Sequence, residues 1–274
     1  MSEMIRNINE DNAAIAFSKQ SEVFDDIYSG NTIINYKRKR VRDHISKYLQ
    51  PGQHILELNS GTGEDAIWFV QKGFTVHATD ISDGMQVVLK KKIAYYSMQE
   101  KISTELCSFT RLQDLKDKGP YDCIFSNFAG LNCTNELDKV LSSFPSLLKP
   151  GGIVTLVIMP KFCLWEFMLL FKGQFKTAFR RFSGKNGSDA HIEEHYFKCW
   201  YYSPSYISDF LKKDFTLLGV EGLCTVVPPS YIENFAEKYP NAYSWLKKRE
   251  DTAKNKWPWK NIGDYYIITL QKKH

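Results

Sequence analysis

The sequence predicts an α/β protein built on a doubly wound, mostly parallel β-sheet. Short apolar runs alternate with amphipathic helical segments between residues 54 and 155, as βαβ units require. A glycine-containing turn follows the first apolar run and leads into a helix, at the position where such sheets bind ligands. Two further apolar runs, FTLLGVEGLCTVV and YYIITL, predict an antiparallel hairpin at one edge of the sheet.

The core elements follow one another at short intervals. Residues 10–49 are helical in pattern, with a break at residues 28–31 and an end before Pro51. Five strand-like runs come next: HILEL, FTVHATD, STELCSF, YDCIFSN and IVTLVIM. The helices predicted between or beside them cover residues 64–72, 82–99 and 135–148.

The regular alternation stops after Pro160. An aromatic and basic stretch, FCLWEFMLLFKGQFKTAFRRF, precedes a loop rich in glycine and serine, and we interpret this part as an insertion. Helical patterns over residues 205–213 and 231–254 accompany the last two strands.

Composition excludes several classes of protein. A chain of 274 residues with 43% hydrophobic residues can bury a full core, and its net charge of +5 is far from that of a dedicated nucleic-acid binder. Six cysteines without a C-x-x-C pair indicate a reducing compartment and no structural zinc. The N-terminus has no secretory pattern, and the longest apolar segment, residues 162–171, is shorter than the roughly 20 residues that span a bilayer. We therefore expect a cytoplasmic protein.

The glycine turn HILELNSGTGEDA favours a cationic ligand. Gly61-x-Gly63-x-x-Ala66 satisfies the loose dinucleotide pattern, so the glycines alone do not separate a nicotinamide nucleotide from S-adenosylmethionine. Glu57, at the end of the first strand, would repel a pyrophosphate but attract a sulfonium or an ammonium group.

A second carboxylate lies at the end of the second strand. Asp80 follows Gly63 by seventeen positions, where it can accept hydrogen bonds from both ribose hydroxyls of an adenosine. The alternative role is a helix N-cap, which Ser82 can fill equally well.

These motifs together resemble a known family. ELNSGTGEDA, TDISDGM, YDCIFSNFAGLNC and LLKPGGIV are similar to the ordered motifs of class I S-adenosylmethionine-dependent methyltransferases, over roughly residues 50–160. The resemblance implies a seven-stranded sheet with a final antiparallel strand, the cofactor S-adenosylmethionine and the product S-adenosylhomocysteine. It places Glu57, Asn59, Gly61 and Gly63 at the methionine end and Asp80 and Ile81 at the ribose and adenine. The remaining residues of the predicted cofactor site are Tyr28, Ser60, Met85, Arg111, Leu112, Asn127 and Phe128.

The resemblance also divides the chain into four parts. Residues 1–50 are expected to form an N-terminal helical cover, and residues 51–160 the Rossmann-like cofactor-binding core. Residues 161–202 are expected to form a helical and aromatic cap insertion. Residues 203–274 then complete the sheet and include a helical excursion.

Two positions depart from the family pattern. Asn59 stands where the family usually has a glycine, but asparagine tolerates left-handed backbone angles well, so we expect the turn to survive. The sequence SFTRLQDL after the third strand lacks the usual acidic residue for adenine. We expect the backbone around Arg111 and Leu112 to contact the adenine instead.

The methyl acceptor is expected beyond the carboxyl end of the fourth strand, near Asn127, Phe128 and Asn132, although a polar loop with a core phenylalanine is the alternative. If a base is needed, the candidates are His191 and His195. Their spacing resembles two ligands on one helical face but lacks the H-E-x-x-H order, so no metal is expected, and a surface loop or structural hydrogen bond is the alternative. Glu193 and Glu194 are expected to be solvated.

The insertion leaves three interpretations open. Its aromatic and basic residues form an ordinary core helix with a solvated face, a lid over the acceptor pocket, or an element that contacts a membrane surface. We predict that Trp165 and Trp200 line the acceptor pocket, while Tyr201 and Tyr202 stack on the acceptor or fill the core.

The basic run of residues 37–40 is expected to be mostly solvated, because consecutive helical residues point in different directions. Tyr28 and Tyr36 are better candidates for contact with the cofactor.

The leading functional interpretation is methyl transfer to a small or medium-sized metabolite. The alternatives are a nicotinamide-dependent oxidoreductase, an inactive module that binds S-adenosylmethionine, and a methyltransferase with an RNA or protein acceptor. DNA is not expected as a partner, RNA is disfavoured, and peripheral membrane contact stays open. The sequence does not indicate the acceptor atom or the oligomeric state.

Overall fold

The computed structural model describes residues 8–192, 194–232 and 234–274. Glu193, which was expected to be solvated, lies outside the described residues. So do the first seven residues of the expected N-terminal cover. The helices are α1 (Ile8–Ser29), α2 (Thr32–Ile45), α3 (Glu64–Gln71), α4 (Asp83–Tyr95), α5 (Leu137–Leu147), α6 (Leu164–Met168), α7 (Phe175–Phe179), α8 (Pro204–Leu211), α9 (Phe235–Lys238) and α10 (Pro240–Ala253). The strands are β1 (His54–Leu58), β2 (Thr75–Asp80), β3 (Ile102–Leu106), β4 (Tyr121–Ser126), β5 (Leu148–Ile158), β6 (Ser188–Ile192), β7 (His195–Cys199), β8 (Phe215–Leu223) and β9 (Tyr265–Lys272).

The main sheet has seven strands in the order β3-β2-β1-β4-β5-β9-β8. Strands β1 to β5 pair in parallel, and β9 is antiparallel to both β5 and β8. The predicted doubly wound sheet with an antiparallel final strand is confirmed. The final strand is inserted between β5 and β8 and does not form the edge. This order differs from the 3-2-1-4-5-6 order of dinucleotide-binding domains, which argues against the oxidoreductase interpretation.

Alternating side chains of the central strands supply two hydrophobic cores, one on each face of the sheet. Leu56 and Leu58 of β1 pack in the core that contains α5 and α8 residues. Ile55, which precedes Leu56 and therefore faces the opposite side of the sheet, packs in the core that contains Phe69 of α3 and Leu89 of α4. A parallel sheet covered on both faces explains why these strands are continuous apolar runs.

The N-terminal helices break where the sequence predicted. Asn31 is the N-cap of α2, and its side chain accepts hydrogen bonds from the backbone N–H groups of Ile33 and Ile34, both at 3.0 Å. Helix α1 packs against α4 and the β7 strand. The closest approach is at Gly84, where an added Cβ would lie 2.6 Å from the Ser18 carbonyl oxygen.

The insertion is helical only in its first part. Helices α6 and α7 are short, and β6 and β7 then form a two-stranded antiparallel hairpin in which Ile192 pairs with His195. The spacing of His191 and His195 therefore does not place them on one helical face. The period-two alternation of Ala190, Ile192 and Phe197 explains the hairpin, because these side chains pack toward α1.

No helix within the described part of the chain is both long enough and apolar enough to cross a bilayer. All six cysteines are free thiols.

We expect Gly84→Ala to destabilise the protein by about 1–3 kcal/mol, because the new methyl group must push α1 away from α4. Gly30→Ala is the matched control, since an added Cβ there meets nothing within 4 Å. Urea unfolding of both variants measures the difference. Equal stability of the two variants would contradict the close packing of α1 on α4.

Candidate functional site

A cavity of about 330 Å³ lies where β1, β2 and β4 end, beneath α1 and α2. Its lining includes ten of the sequence-predicted residues: Tyr28, Glu57, Asn59, Ser60, Gly61, Asp80, Ile81, Met85, Asn127 and Phe128. The carboxyl ends of neighbouring parallel strands meet at one edge of the sheet, so the chain brings these distant positions together.

The glycine turn is left-handed at three positions. Asn59, Gly61 and Gly63 have φ angles of 46°, 54° and 82°, and the expectation that asparagine adopts this conformation is confirmed at Asn59. The Asn59 amide donates to the Asn127 carbonyl oxygen at 2.9 Å and accepts from the Ser126 hydroxyl at 2.6 Å. The asparagine therefore ties the turn to the end of β4, which a glycine cannot do.

Asp80 supports the same turn from β2. Its carboxylate accepts from the backbone N–H groups of Gly61 at 2.8 Å and Ser82 at 2.9 Å. Ser82 is the N-cap of α4 and accepts from the N–H of Met85, so the capping role falls to Ser82. Burial raises the pKa of Asp80, and the three backbone N–H groups around it oppose that shift.

Glu57 is a buried carboxyl on the cavity wall. Only 3% of the residue is exposed, and its Oε2 has no hydrogen-bond partner among the described residues. Burial, followed by the nearby Asp65, raises the pKa of Glu57 well above its usual range, and Arg42 opposes the shift. The partner of Arg42 is Asp65, at 2.8 Å, so Arg42 compensates Glu57 only from a distance. A cationic group in the cavity would supply the missing partner.

Another part of the lining is basic and aromatic. The Lys37 ammonium lies 4.5 Å from the centre of the Tyr265 ring, and the Arg38 guanidinium lies 5.2 Å from that of Phe128. The two rings pack edge to face at 6.4 Å. Burial lowers the pKa of Lys37, but its ion pair with Asp264 at 2.7 Å outweighs burial, so the pKa is raised overall. The lining thus combines five carboxylates with two basic side chains, and both basic side chains lie against aromatic rings.

Helix α1 closes the cavity from above. Tyr28, Phe17 and Phe24 line it, and the Thr62 hydroxyl of the glycine turn donates to Asp25 of α1 at 2.6 Å. Glu10, near the start of α1, accepts from the hydroxyls of Ser108 and Thr110. The helix is therefore fastened at both ends to the loops that border the cavity.

Three predicted cofactor residues lie outside the cavity lining. Gly63 is the N-cap of α3, where an added Cβ would lie 2.1 Å from Leu89 Cδ1, so its role is to admit close packing. Arg111 pairs with Asp114 at 2.6 Å near the surface, and Leu112 is fully buried in the core. The expected adenine contact by their backbone stays a prediction.

Of the residues predicted near the acceptor, Asn127 and Phe128 line the cavity, whereas the others lie apart from it. The fully buried Asn132 side chain donates to the carbonyl oxygens of Met159 and Trp200, and Trp200 donates to the Lys185 carbonyl oxygen at 3.0 Å. None of Asn132, Trp165, Trp200, His191 and His195 lines the cavity. Within the hairpin, Ile192 is the residue that does.

Sequence reasoning missed several lining residues. Phe109, Ile192, Ser230 and Tyr265 come from four different loops or strands, and Tyr36, which was expected to contact the cofactor, pairs with Arg40 and Glu250 instead. Phe109 alone carried a signal, since it is the first aromatic residue after β3. Positions such as Ser230 follow no motif and depend on tertiary packing.

One group of potential metal ligands lies away from the cavity. Cys163, Glu166 and Asp264 have ligand atoms within 4.8 Å of one another. However, Arg181 donates to both carboxylates, at 2.9 Å to Asp264, and burial raises the pKa of Cys163 to about 12. Carboxylates already paired with arginine and a protonated thiol make a poor metal site.

Part of the chain matches a known family model. Residues 55–152 match the family model described as "Methyltransferase domain". A polyketide synthase-nonribosomal peptide synthetase of Pyricularia grisea is 31% identical over 131 residues, which are 45% of this chain and 3% of that protein. An uncharacterized methyltransferase of Synechocystis is 26% identical over 133 residues, 47% of this chain and 59% of that protein. The chain therefore spans less than two thirds of either curated relative.

Solved structures share the fold over nearly the whole chain. The 4+2 cyclase SpnF has a TM-score of 0.63 at 14% identity and covers 95% of both chains. A Burkholderia thailandensis 1,6-didemethyltoxoflavin-N1-methyltransferase, solved with its acceptor and S-adenosylhomocysteine, has a TM-score of 0.56 at 13% identity. That match covers 100% of this chain and 94% of the other.

We expect Glu57→Gln to be more stable than the wild type at neutral pH, by about 1–3 kcal/mol, because it removes a buried charge that lacks a partner. Because the pKa of Glu57 is higher in the folded protein than in the unfolded chain, binding of a proton favours the folded state. This contribution to stability is fully present below the pKa of the unfolded chain, and it is lost as pH rises through the pKa of the folded protein. The advantage of the variant should therefore shrink as pH falls toward about 4. Urea unfolding across pH measures it.

Glu250→Gln is the matched control. The buried Glu250 carboxylate accepts from four backbone N–H groups, so the amide should destabilise the protein at neutral pH. A Glu57→Gln protein that is less stable than the wild type at neutral pH would contradict the assignment of an uncompensated charge.

Proposed function

We propose that this chain, whose residues 55–152 belong to the methyltransferase domain family and whose fold is that of class I S-adenosylmethionine-dependent methyltransferases, transfers a methyl group to a small or medium-sized metabolite. The observation that carries the proposal is the distribution of charge in the cavity. Glu57 and Asp80 line the cavity at the ends of β1 and β2, and Lys37 and Arg38 of α2 line it beside Tyr265 and Phe128.

The residues present fit S-adenosylmethionine. Its sulfonium and ammonium groups supply the cation that the unpartnered Glu57 lacks, whereas a dinucleotide would place a pyrophosphate beside Glu57 and Asp65. Asp80 keeps lone pairs for the ribose hydroxyls after it has accepted from the backbone of the turn. Ile81 and Phe109 then provide apolar walls for the adenine.

Binding and orientation are the main contributions of the chain to the reaction. The bound cofactor supplies a methyl group that is already activated on sulfur, so alignment with the acceptor can provide much of the barrier reduction. Tyr28 and Phe24 of α1 cover the cavity and exclude water. Asn127 and Phe128, at the end of β4, are placed to orient the acceptor.

The acceptor is proposed to be a metabolite because residues of α1 and α2, together with Tyr265 and Ser230, line a cavity of about 330 Å³, which suits a small molecule. Five carboxylates and two basic side chains line the cavity, and the basic ones, Lys37 and Arg38, lie against the rings of Tyr265 and Phe128. We therefore propose that an acceptor held beside these two rings is neutral or anionic. An RNA or protein acceptor would need a groove that reaches the surface.

A role for His191 or His195 as general base stays a prediction. Both lie in the hairpin, and Ile192 between them occupies the cavity wall. Direct contact with an acceptor would require the hairpin to move.

The Asp80→Ala variant should bind S-adenosylmethionine about ten- to a hundred-fold more weakly than the wild type, because it loses charge-assisted hydrogen bonds to the ribose. Calorimetric titration with S-adenosylmethionine and S-adenosylhomocysteine measures the change. Asp114→Ala is the matched control, since Asp114 is an exposed aspartate that pairs with Arg111. Binding of NAD in place of S-adenosylmethionine would overturn the proposal.

Methyl transfer itself is tested with labelled S-adenosylmethionine against panels of neutral, anionic and cationic metabolites. We expect product with a neutral or anionic acceptor. Tight cofactor binding without transfer to any class would instead support the inactive binding module. The double variant His191→Ala, His195→Ala should keep its rate within about twofold. A loss of about a hundred-fold with a changed pH profile would establish a histidine base.

A further inference from the structure

A short stretch of the insertion exposes an unusual number of large apolar side chains. We call residues 161–187 the aromatic segment; it contains α6, α7 and the 3₁₀ turns between and after them. Five exposed apolar residues fall within fifteen positions of it: Met168, Phe171, Phe175, Phe179 and Phe182. No other fifteen-residue stretch of the described chain exposes as many. Phe171 and Phe175 are 89% and 63% exposed, so they contribute little to the core.

The aromatic segment also carries charge equal to the net charge of the whole protein. It contains six basic residues and one acidic residue, a net charge of +5, and the whole chain has +5. The single acid, Glu166, is buried between Arg180 and Arg181. The charges left facing the solvent are those of lysines, including Lys172 and Lys176 beside the exposed rings.

Buried contacts hold the segment on the body of the protein. Arg181 is 3% exposed and donates to the Asp264 carboxylate at 2.9 Å and to the Asp264 carbonyl oxygen at 2.9 Å. The backbone N–H of Leu164 donates to the Ile262 carbonyl oxygen at 2.9 Å. The segment is therefore anchored on the protein. Phe179 and Phe182 pack partly against Phe162 and Phe167, which leaves Phe171 and Phe175 as its most exposed rings.

The aromatic segment does not act as a lid in this conformation. Among the described residues of the insertion, the cavity is lined by Ile192, which lies beyond the segment, in the hairpin. The exposed rings consequently have neither a core nor the cavity to cover them.

We propose that the aromatic segment docks on the surface of an anionic lipid bilayer. Phenylalanine side chains with flanking lysines suit the boundary between headgroups and acyl chains, and the lysines complement the negative surface. Helices of five residues are far too short to span, so contact is interfacial. A second copy of the chain is a poor occupant, because it would bring two segments of +5 together. This inference does not depend on methyl transfer.

The test is sedimentation of the full chain with vesicles of phosphatidylcholine, with and without phosphatidylglycerol. We expect binding to the anionic vesicles that weakens as salt rises. Phe171→Ser with Phe175→Ser should reduce the affinity by about tenfold or more per ring. The control is Tyr95→Ser, which removes an aromatic ring that is 82% exposed elsewhere; it should bind like the wild type.

The charge requirement is tested in the same way. Lys172→Gln with Lys176→Gln should reduce binding to anionic vesicles by about fivefold per lysine, whereas the exposed pair Lys212→Gln, Lys213→Gln should have little effect.

Three results would each overturn the proposal. The protein could bind neutral and anionic vesicles equally, it could bind neither, or the variant Phe171→Ser, Phe175→Ser could bind anionic vesicles as tightly as the wild type does. A concentration-dependent mass that the phenylalanine variant abolishes would assign the surface to a second copy instead. Titration of each variant with S-adenosylmethionine checks that the fold is intact, so failure of the docking proposal is distinguishable from failure of the proposed function.

Discussion

The buried carboxylate of Asp264 joins three parts of the chain that are distant in sequence. It pairs with Lys37 of α2 at 2.7 Å and with Arg181 of the aromatic segment at 2.9 Å, immediately before β9 begins. Burial raises the pKa of Asp264, but the two cations outweigh burial, so the carboxylate stays charged. Removal of one member of such a network leaves an uncompensated buried charge, which typically costs about 3–5 kcal/mol. Both the basic wall of the cavity and the orientation of the aromatic segment depend on this one group.

The need of buried charges for partners also explains where the side chains of the basic run, residues 37–40 of α2, lie. Successive residues rotate by about 100° around a helix, so each side chain reaches a different environment. Lys37 meets Asp264, Arg38 faces the cavity, and Lys39 pairs in solvent with Asp43. Arg40 is buried beside Glu221 and Glu250. The sequence correctly predicts that these residues diverge, but the expectation that most are solvated is wrong, because Lys39 is the one of the four that is exposed.

Their burial was not predictable because the acidic partners lie far along the chain. Lys37 and Asp264 are separated by 227 positions, and Arg40 and Glu221 by 181. By contrast, the turn at Asn59, the cap at Ser82 and the break at Asn31 follow from residues within a few positions, and the structure confirms all three local expectations. The mostly parallel sheet with its antiparallel final strand was predictable through the motifs and the alternation of strands and helices. The hairpin at His191 and His195 was not predicted. Their spacing of four residues suggests one face of a helix, whereas the packing of this segment follows the two-residue alternation of side chains along a strand.

The polarity of the cavity constrains the proposed chemistry more than any single residue does. With the cation of the cofactor drawn to Glu57 and its ribose to Asp80, the cofactor has one electrostatically favourable direction in which to lie. The acceptor must then approach from the side of Phe128 and Tyr265, whose faces are already occupied by Arg38 and Lys37. Since those cations use the ring faces, the aromatic wall is not available as a cation-binding cage. Under the proposed function, an acceptor beside these rings is neutral or anionic, and its specificity depends on tertiary contacts that lie outside the cofactor motifs.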